Sequence, residues 1–489
     1  MTRKEKDTQI LLKKIYSFSL KEKTKLYLVG GFLRDFLLKI NSSLNYYVRD
    51  IDFCLKKNAI KFGRKLAKIL KAGFVVLDKE HGCCRLVKRI KDKTYTLDFT
   101  DFRGKDLKED LLHRDFTINA FAIELKDFLN KKDIQGFIFD PFLGIKDLKE
   151  KILRIVNEDG FREDPLRILR AFSISLELNF KIDKKTILLI KRDRKMLSSV
   201  AGERVRDELF KILASPFSYN CLKMMDDLKV LEVIFPSIKN MRNVYQGPYH
   251  HLDVFEHSLE TIRQLEILFK EFSKDKDLDL YLDEVISAER SRRSLLKLAG
   301  FFHDIGKPKA KRWQNGKVKF HGHERIGLNF VEEISQSLKL SNSEKEILKT
   351  IVLWHLRPGY LADLETISPR AKFRFFRDTA KEAVSVLLVS LADQRATCGP
   401  LTTKESRMKH ERVVKSLIKE YFKKQKEKPI PRLINGNDLI KIFKLTPSPL
   451  FGKILKEIEE LQAVGKIKTR KEALRWVEKF LKHYQLKNG

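Results

Sequence analysis

A short apolar run, Tyr27–Val29, leads straight into Gly30-Gly31 and then into a helical pattern that carries Arg34 and Asp35. No other feature constrains the chain as much. Two adjacent glycines let the backbone turn tightly and approach an anion closely, and the free N–H groups at a helix start attract phosphate. A second short strand is predicted at Ile51–Leu55, with Asp50 and Asp52 at its start. Residues i and i+2 of a strand share a face, so these two carboxylates can hold a hard cation such as Mg²⁺. An isolated Asp-x-Asp reads more readily as a tight turn before a polar edge strand. Combined with the double glycine and the Arg-Asp pair, it is the equipment for metal-dependent nucleotidyl transfer.

Composition narrows the partners. The 489 residues carry a formal charge of +34, which suits a polyanion, most simply nucleic acid. Because lysine is spread along the whole chain, a merely well-solvated surface is the competing explanation. Cys54, Cys83, Cys84, Cys221 and Cys398 form no Cys-x-x-Cys pair, so neither a zinc ribbon nor a disulfide framework is expected. The start, MTRKEKDTQILLKKI, lacks a signal-peptide core, and no apolar run is long enough to span a membrane. The expected compartment is therefore the cytoplasm. The sequence leaves the oligomeric state open.

Residues 21–145 alternate short strands and helices, with further strands predicted at Phe74–Leu77, Arg85–Val87 and Tyr95–Thr100 and an amphipathic helix at Ile60–Leu70. From about residue 146 onward no strand series is expected and helical periodicity dominates. Boundaries are predicted near YQGPYHH (245–251) and across 400–431. Residues 401–432 hold eleven Lys or Arg against four Asp or Glu, and KKQKEKPIP reads as an exposed linker. Beyond it, Ile454, Ile458 and Leu461 form a helical stripe, and Thr469 with Glu472 fits a capping box.

Three more segments bear on the first motif. In TLDFTDFR, Asp98 faces away from the core, either as a third carboxylate for the metal and the attacking hydroxyl or as an exposed strand acid. In DLLHRDFTINAFAI, Arg114 can neutralise triphosphate charge, Asn119 can bond a sugar or phosphate, and Asp115 lies between them. In FREDPLRILRAF, Asp164-Pro165 looks like a helix start with Asp164 at the N-cap, followed by Arg167 and Arg170 on one face.

With GGFLRD, DID, RDFTINA, DPFLGIKDL, EDPLR and ERVRDELFKIL in that order, the chain resembles the class II tRNA nucleotidyltransferase and bacterial poly(A) polymerase family through about residue 213. The resemblance implies an α+β nucleotidyltransferase head, a small mixed sheet with helices, over residues 1–145. It implies a helical neck over 146–245 that binds RNA and nucleotide. It also implies that Asp50 and Asp52 hold catalytic Mg²⁺, that Gly30, Gly31, Arg34, Arg114, Asp115, Asn119 and Arg170 bind nucleotide, and that Asp164 and Arg167 read the incoming base. An aspartate that accepts from the amino group of C or A, beside an arginine that donates to the ring, imitates a Watson–Crick edge without a template. One departure is that His113-Arg114 stands where family members often have Arg-Arg, and no phosphate role passes to His113.

Seven of the eleven histidines fall between His250 and His355. VFEHS, LAGFFHDIGKP, FHGHERIG, LWHLRP and SLADQRA resemble the HD phosphohydrolase domain, expected over 246–400. His257, His303, Asp304 and Asp393 match its basic ligand set, His323 and His355 match the added ligands of two-metal members, and Lys307 can contact phosphate. Imidazole with carboxylate suits Mn²⁺, Co²⁺ or Ni²⁺ better than Mg²⁺. His250, His251 and His321 receive no role. Residues 401–489 complete the expected layout as a basic linker and a helical tRNA-binding tail. All-α neck, HD and tail domains thus follow the head.

The expected activity is addition of C and A to tRNA 3′ ends from CTP and ATP, with phosphoester hydrolysis at the HD site. CC-only, A-only and poly(A) addition use the same motifs. Readings from other classes are an RNA-binding or repair factor with an inactive head, and a nucleotide phosphohydrolase with the head as sensor.

Overall fold

The computed structural model describes residues 3–40, 50–91, 93–131, 133–427 and 431–488. Residues 41–49 of the opening motif and 428–430 of the basic stretch lie outside that set. The chain divides into two compact units, Met1–Ile212 with Met225–Ile234, and Leu213–Met224 with Phe235–Gly489.

The first unit is built on a six-stranded sheet made of β1 (Tyr27–Val29), β2 (Asp50–Leu55), β3 (Gly73–Asp78), β4 (Cys83–Ile90), β5 (Lys93–Asp101) and β6 (Ala122–Glu124). Its order is β3-β4-β5-β2-β1-β6, with β2 parallel to β5 and the other neighbours antiparallel. The mixed sheet matches the expected head; β6 was not foreseen. Alternation along β5 buries Tyr95, Leu97 and Phe99 and turns Thr96 and Asp98 the other way. Phe53 and Phe99 stack at 4.7 Å in the core, beside Phe62 of the helix Ala59–Leu70. That helix begins where Asp101 Oδ1 accepts the Ala59 N–H at 2.7 Å. It lies so close to β4 that a Cβ at Gly63 would stand 2.5 Å from Cys84 Sγ. The N-terminal helix Arg3–Lys21 buries Leu11, Leu12, Ile15 and Phe18, the last 5.0 Å from Phe62.

The helical continuation from residue 144 is as expected, apart from a two-residue parallel ladder between Ile152–Leu153 and Lys181–Ile182. Asp164 is not the N-cap of the following helix. The helix runs Arg167–Leu178 with Leu166 at its cap, while the Asp164 carboxylate accepts the Leu166 N–H at 3.2 Å. A one-turn helix, Gly160–Glu163, ends at Asp164 and shifts the start by two residues.

The second unit is nearly all helix, with two small antiparallel ladders, Val285–Ser287 with Arg290–Ser291 and Arg312–Gln314 with Lys317–Lys319. At its centre the helix Ala383–Ala396 is buried along almost its whole length, as an element apolar on every face requires. The expected linker is mostly a helix, Lys404–Lys426, capped by Thr403. His410, Val414, Leu417, Ile418 and Tyr421 form its buried stripe at helical spacing, and lysines crowd the remaining faces. In the tail, Ile454, Ile458, Ala473 and Val477 share a core with Leu461 packed against it. The Thr469–Glu472 capping box is present, each side chain accepting the other residue's backbone N–H at 3.3 Å.

The stacked Phe53–Phe99 pair supports the strands that carry the acids. Phe99→Ala is expected to cost about 3–5 kcal/mol and Phe99→Leu distinctly less. Urea titration followed by circular dichroism measures this; an unmoved transition in Phe99→Ala would contradict a core centred on this pair.

Candidate active site and metal centre

Pairing of β1 with β2 sets Val29 opposite Asp52, and the chain turns at Gly30 with φ +71°. A Cβ on residue 30 would stand 2.6 Å from Asp52 Oδ2, so only glycine lets that carboxylate lie over the helix start. The parallel register puts Asp98 beside Asp52 and Thr96 beside Asp50. Asp50 is exposed and Asp52 partly buried. Burial pushes the Asp52 carboxyl up to about 6; Arg114 opposes the rise, while Asp98 and Asp50 add to it. Clustered carboxylates are a donor set that fits a hard divalent cation. Asp98 is less free than its neighbours, because Arg85 on β4 grips both its oxygens at 2.8 Å.

Behind the acids runs a connected polar chain. Arg34 donates to Asp35 at 2.7 Å and to Asn119 at 3.1 Å, Asn119 donates to Asp115 at 3.0 Å, and Arg170 donates twice to Asp115 at 2.6 and 3.0 Å. Burial alone would raise the Asp115 carboxyl, but its pairing with Arg170 holds it at about 2. A cavity of about 1410 Å³ is lined by Gly30, Gly31, Asp52, Asp98, Arg114, Asp115, Asn119, Asp164, Arg167 and Arg170. Of the expected residues, Arg34 and Asp50 are not on its wall. Arg114 Nε is buried without a hydrogen-bond partner. Asp164 pairs with Arg204 at 3.0 Å, and Arg167 donates to the carbonyls of His113 at 2.5 Å and Gly160 at 3.2 Å. Both base-reading candidates thus have protein partners in this state.

In the second unit, Asp304 lies between two groups of histidines. His257, His303, Asp304 and Asp393 form one cluster and Asp304, His323 and His355 another, with ligand atoms within 4.8 Å of one another in each. Asp304 Oδ2 is 3.1 Å from His303 Nε2, and Oδ1 is 3.1 Å from His323 Nε2 and 3.7 Å from His355 Nε2. His257 Nε2 is 2.9 Å from Asp393 Oδ1. Backbone geometry orients three of the rings: Nδ1 of His303, His323 and His355 donates to the carbonyls of Gly300, Phe320 and Val352 at 2.8, 2.8 and 2.7 Å. A carbonyl only accepts, so each Nδ1 carries hydrogen and each Nε2 is aimed inward. No hydrogen bond of good geometry reaches His303 Nε2 or either Asp304 oxygen, although Lys307 Nζ stands 2.6 Å from Oδ2. Burial would lower the His303 pKa, yet Asp304 and Asp393 lift it to about 10. Imidazoles and carboxylates converging in this way are a donor set that fits divalent metal ions, which the two clusters would hold.

Family profiles match along the chain in order: the poly(A) polymerase head domain at 26–154, a probable RNA and SrmB-binding site of polymerase A at 179–242, the HD domain at 254–398, and tRNA nucleotidyltransferase domain 2 at 329–477. The A-adding tRNA nucleotidyltransferase of Deinococcus radiodurans is 31% identical over 466 residues, covering 93% of this chain and 95% of that one. The chain belongs to the tRNA nucleotidyltransferase family. The CC-adding tRNA nucleotidyltransferase of Thermus thermophilus is 27% identical over 455 residues, 91% of each chain. The fold matches the Thermotoga maritima CCA-adding enzyme complexed with tRNA, with TM-score 0.61 at 24% identity over 98% of this chain and 96% of that one.

In this nucleotidyltransferase, several polar partners were not foreseen. Arg85 holds Asp98, Arg204 holds Asp164, and the buried Asp110 lies 3.5 Å from Arg114. Gln246 accepts from Lys307 at 2.7 Å. Arg204 lies within ERVRDELFKIL, but a partner forty residues away leaves no trace in local spacing. Of the three unassigned histidines, His250 packs edge-on against His257, its ring centroid 4.9 Å away, and His251 and His321 are exposed.

The Asp115–Arg170 pair generates a pH dependence. The fold depresses this carboxyl, so the pair's contribution is complete above about pH 4 and lost as pH falls through about 2. Asp115→Asn is expected to destabilise the nucleotidyltransferase by about 2 kcal/mol at pH 7, with the deficit closing over that acid window. Denaturant titrations from pH 7 to 2 measure it; a constant deficit, or none at pH 7, would contradict the pairing.

Proposed function

We propose that the chain adds C and A nucleotides to tRNA 3′ ends from CTP and ATP without a template. The observation that carries this is the contact of Gly30 with Asp52, on the same cavity as Arg114, Asp164 and Arg167. Asp50 and Asp52 would hold Mg²⁺, which when bound neutralises triphosphate charge and acidifies the attacking hydroxyl. Arg114, with its unpartnered Nε, receives phosphate oxygens. Asp164 accepts from the amino group of the base and Arg167 donates to its ring, once the base displaces Arg204 from Asp164. Asp115 holds Arg170, and through Asn119 it holds Arg34, so these cations keep their positions as the triphosphate enters. CCA-adding enzymes of this fold are described with ATP, with CTP and with tRNA, so these are the ligands to test first. A-addition alone is the second reading, favoured by the 31% identity to an A-adding relative.

Asp52→Asn is expected to lower incorporation of CTP and ATP into tRNA lacking its 3′ end by about 10³-fold or more, the loss of several kcal/mol of transition-state stabilisation. The affinity for tRNA in a gel-shift assay is expected to hold. Near-normal incorporation by Asp52→Asn would remove the assignment.

The second centre is proposed to hydrolyse phosphoesters, with a 2′,3′-cyclic phosphate at an RNA end as substrate. Water's oxygen joins phosphorus, one ribose P–O bond breaks, and the released ribose oxygen takes the proton. Mn²⁺, Co²⁺ or Ni²⁺ held by the histidines and Asp304 would polarise the phosphate and supply hydroxide. Lys307, beside Asp304, would neutralise a phosphate oxygen. Joint His303→Ala and Asp304→Ala replacement is expected to abolish hydrolysis and spare nucleotide addition, as read by parallel assays across these ions. Hydrolysis that survives the double replacement would exclude the centre.

A further inference from the structure

Between Asp304 and Glu324 the chain has no acidic residue and six Lys or Arg. Much of this segment is a two-stranded hairpin. Arg312 is paired with Lys319, Trp313 with Val318 and Gln314 with Lys317, around a turn at Asn315 and Gly316 that both have positive φ, 52° and 69°. Asn-Gly in this position is the signature of a tight hairpin turn. The hairpin exposes what a folded surface usually avoids. Trp313 is 67% exposed, and Arg312 faces Lys319 directly across the ladder. Like charges opposite one another weaken a hairpin. Among the described residues Arg312, Lys317 and Lys319 have no acidic partner in a salt bridge; Arg312 donates only to backbone carbonyls.

The hairpin is joined to the metal centre at both ends. It follows Lys307, whose Nζ stands 2.6 Å from Asp304 and 5.7 Å from the Phe320 ring. It leads into His323, whose Nδ1 donates to the Phe320 carbonyl. On the face shared by Trp313 and Val318, Val318 Cγ1 reaches within 3.3 Å of where a Cβ on Gly247 would lie. That glycine belongs to a turn in which Tyr245 and Tyr249 are 54% and 56% exposed and Gln246 accepts from Lys307.

We propose that this hairpin and the adjoining tyrosine turn form a binding platform for single-stranded nucleic acid, with Trp313 stacking on a base on the face beside Gly247 and the long side chains of Arg312, Lys317 and Lys319, which lie on the opposite face of the ribbon, meeting the flanking phosphates around its edge, so that the strand's end is presented to the Asp304 centre. Exposed aromatics interleaved with unpaired cations are the equipment for sequence-tolerant single-strand binding. A polyanion also relieves the repulsion between Arg312 and Lys319. A free nucleotide needs no such platform, whereas a chain end does. The inference therefore deepens the hydrolase reading, on which it rests, by making its substrate the end of a strand.

Trp313, Trp354 and Trp476 are the three tryptophans. A full-length chain with Trp354→Phe and Trp476→Phe keeps Trp313 as its sole indole. A single-stranded RNA of about ten nucleotides, ending in a 2′,3′-cyclic phosphate, is expected to quench its emission saturably, and less so as salt rises. In the otherwise native chain Trp313→Ala is expected to raise KM for that oligonucleotide about 5- to 150-fold, with kcat nearly unchanged. Turnover of a cyclic mononucleotide is expected to stay the same, and Trp313→Phe to keep most of the affinity. Absence of quenching, or equal losses on oligonucleotide and mononucleotide, would overturn the platform. Quenching by an acidic peptide and not by RNA would overturn it in favour of a protein partner. Quenching by RNA in a chain that hydrolyses nothing with any of the three ions would support the platform and overturn the hydrolase reading.

Discussion

The head depends on one parallel strand pairing inside an otherwise antiparallel sheet. With β2 laid parallel on β5, Asp52 and Asp98 come side by side, and Phe53 and Phe99 stack on the opposite face. The same register therefore sets the core and gathers the acids. A slip of one residue would turn the phenylalanines outward and the carboxylates into the core. Gly30 completes the constraint from the other side, because its missing Cβ is what allows Asp52 to sit over the helix start. Crowded, partly buried carboxylates are unfavourable in the metal-free protein, as the raised Asp52 pKa expresses. A fold retains such a group where a cation rewards it.

The HD centre solves a similar problem with different chemistry. Its acids lie among imidazoles rather than beside other acids, and backbone carbonyls orient three of the rings. His303 and His355 each follow the last residue of a helix, and each binds the carbonyl three residues earlier. Ring orientation is thus set by the way two helices end. The centre gains its preorganisation from ordinary helix geometry and needs few additional polar groups. Asp304, with each oxygen directed to a different histidine group, is the one residue common to both clusters.

Much of this organisation was legible in the sequence because local patterns carry it. Gly30 before a helix, alternation along β5, and the Thr469–Glu472 box each lie within a few residues of what they determine. The histidine cluster was legible for another reason, since few structural roles call for so many histidines in one region. Contacts over long sequence separations were not legible. Arg85 with Asp98 and Arg204 with Asp164 depend on how separate elements pack, and any exposed arginine would have looked the same. Lysine-rich composition hides the stripe His410, Val414, Leu417, Ile418 and Tyr421 within 404–426, and the Asn315-Gly316 hairpin interrupts a region whose periodicity is otherwise helical. The helix start at Asp164-Pro165 was off by two residues because a one-turn helix ends there.

The central claim is that protein side chains, not a template, select the nucleotide in the cavity over Asp52. Sequencing the 3′ ends of tRNA lacking its terminal nucleotides, after incubation with the full-length chain, Mg²⁺ and all four nucleoside triphosphates together, tests it most directly. The account predicts additions of C, of A, or of both in a fixed order, with U and G excluded. Unselective incorporation of all four nucleotides, or unextended ends, would contradict it.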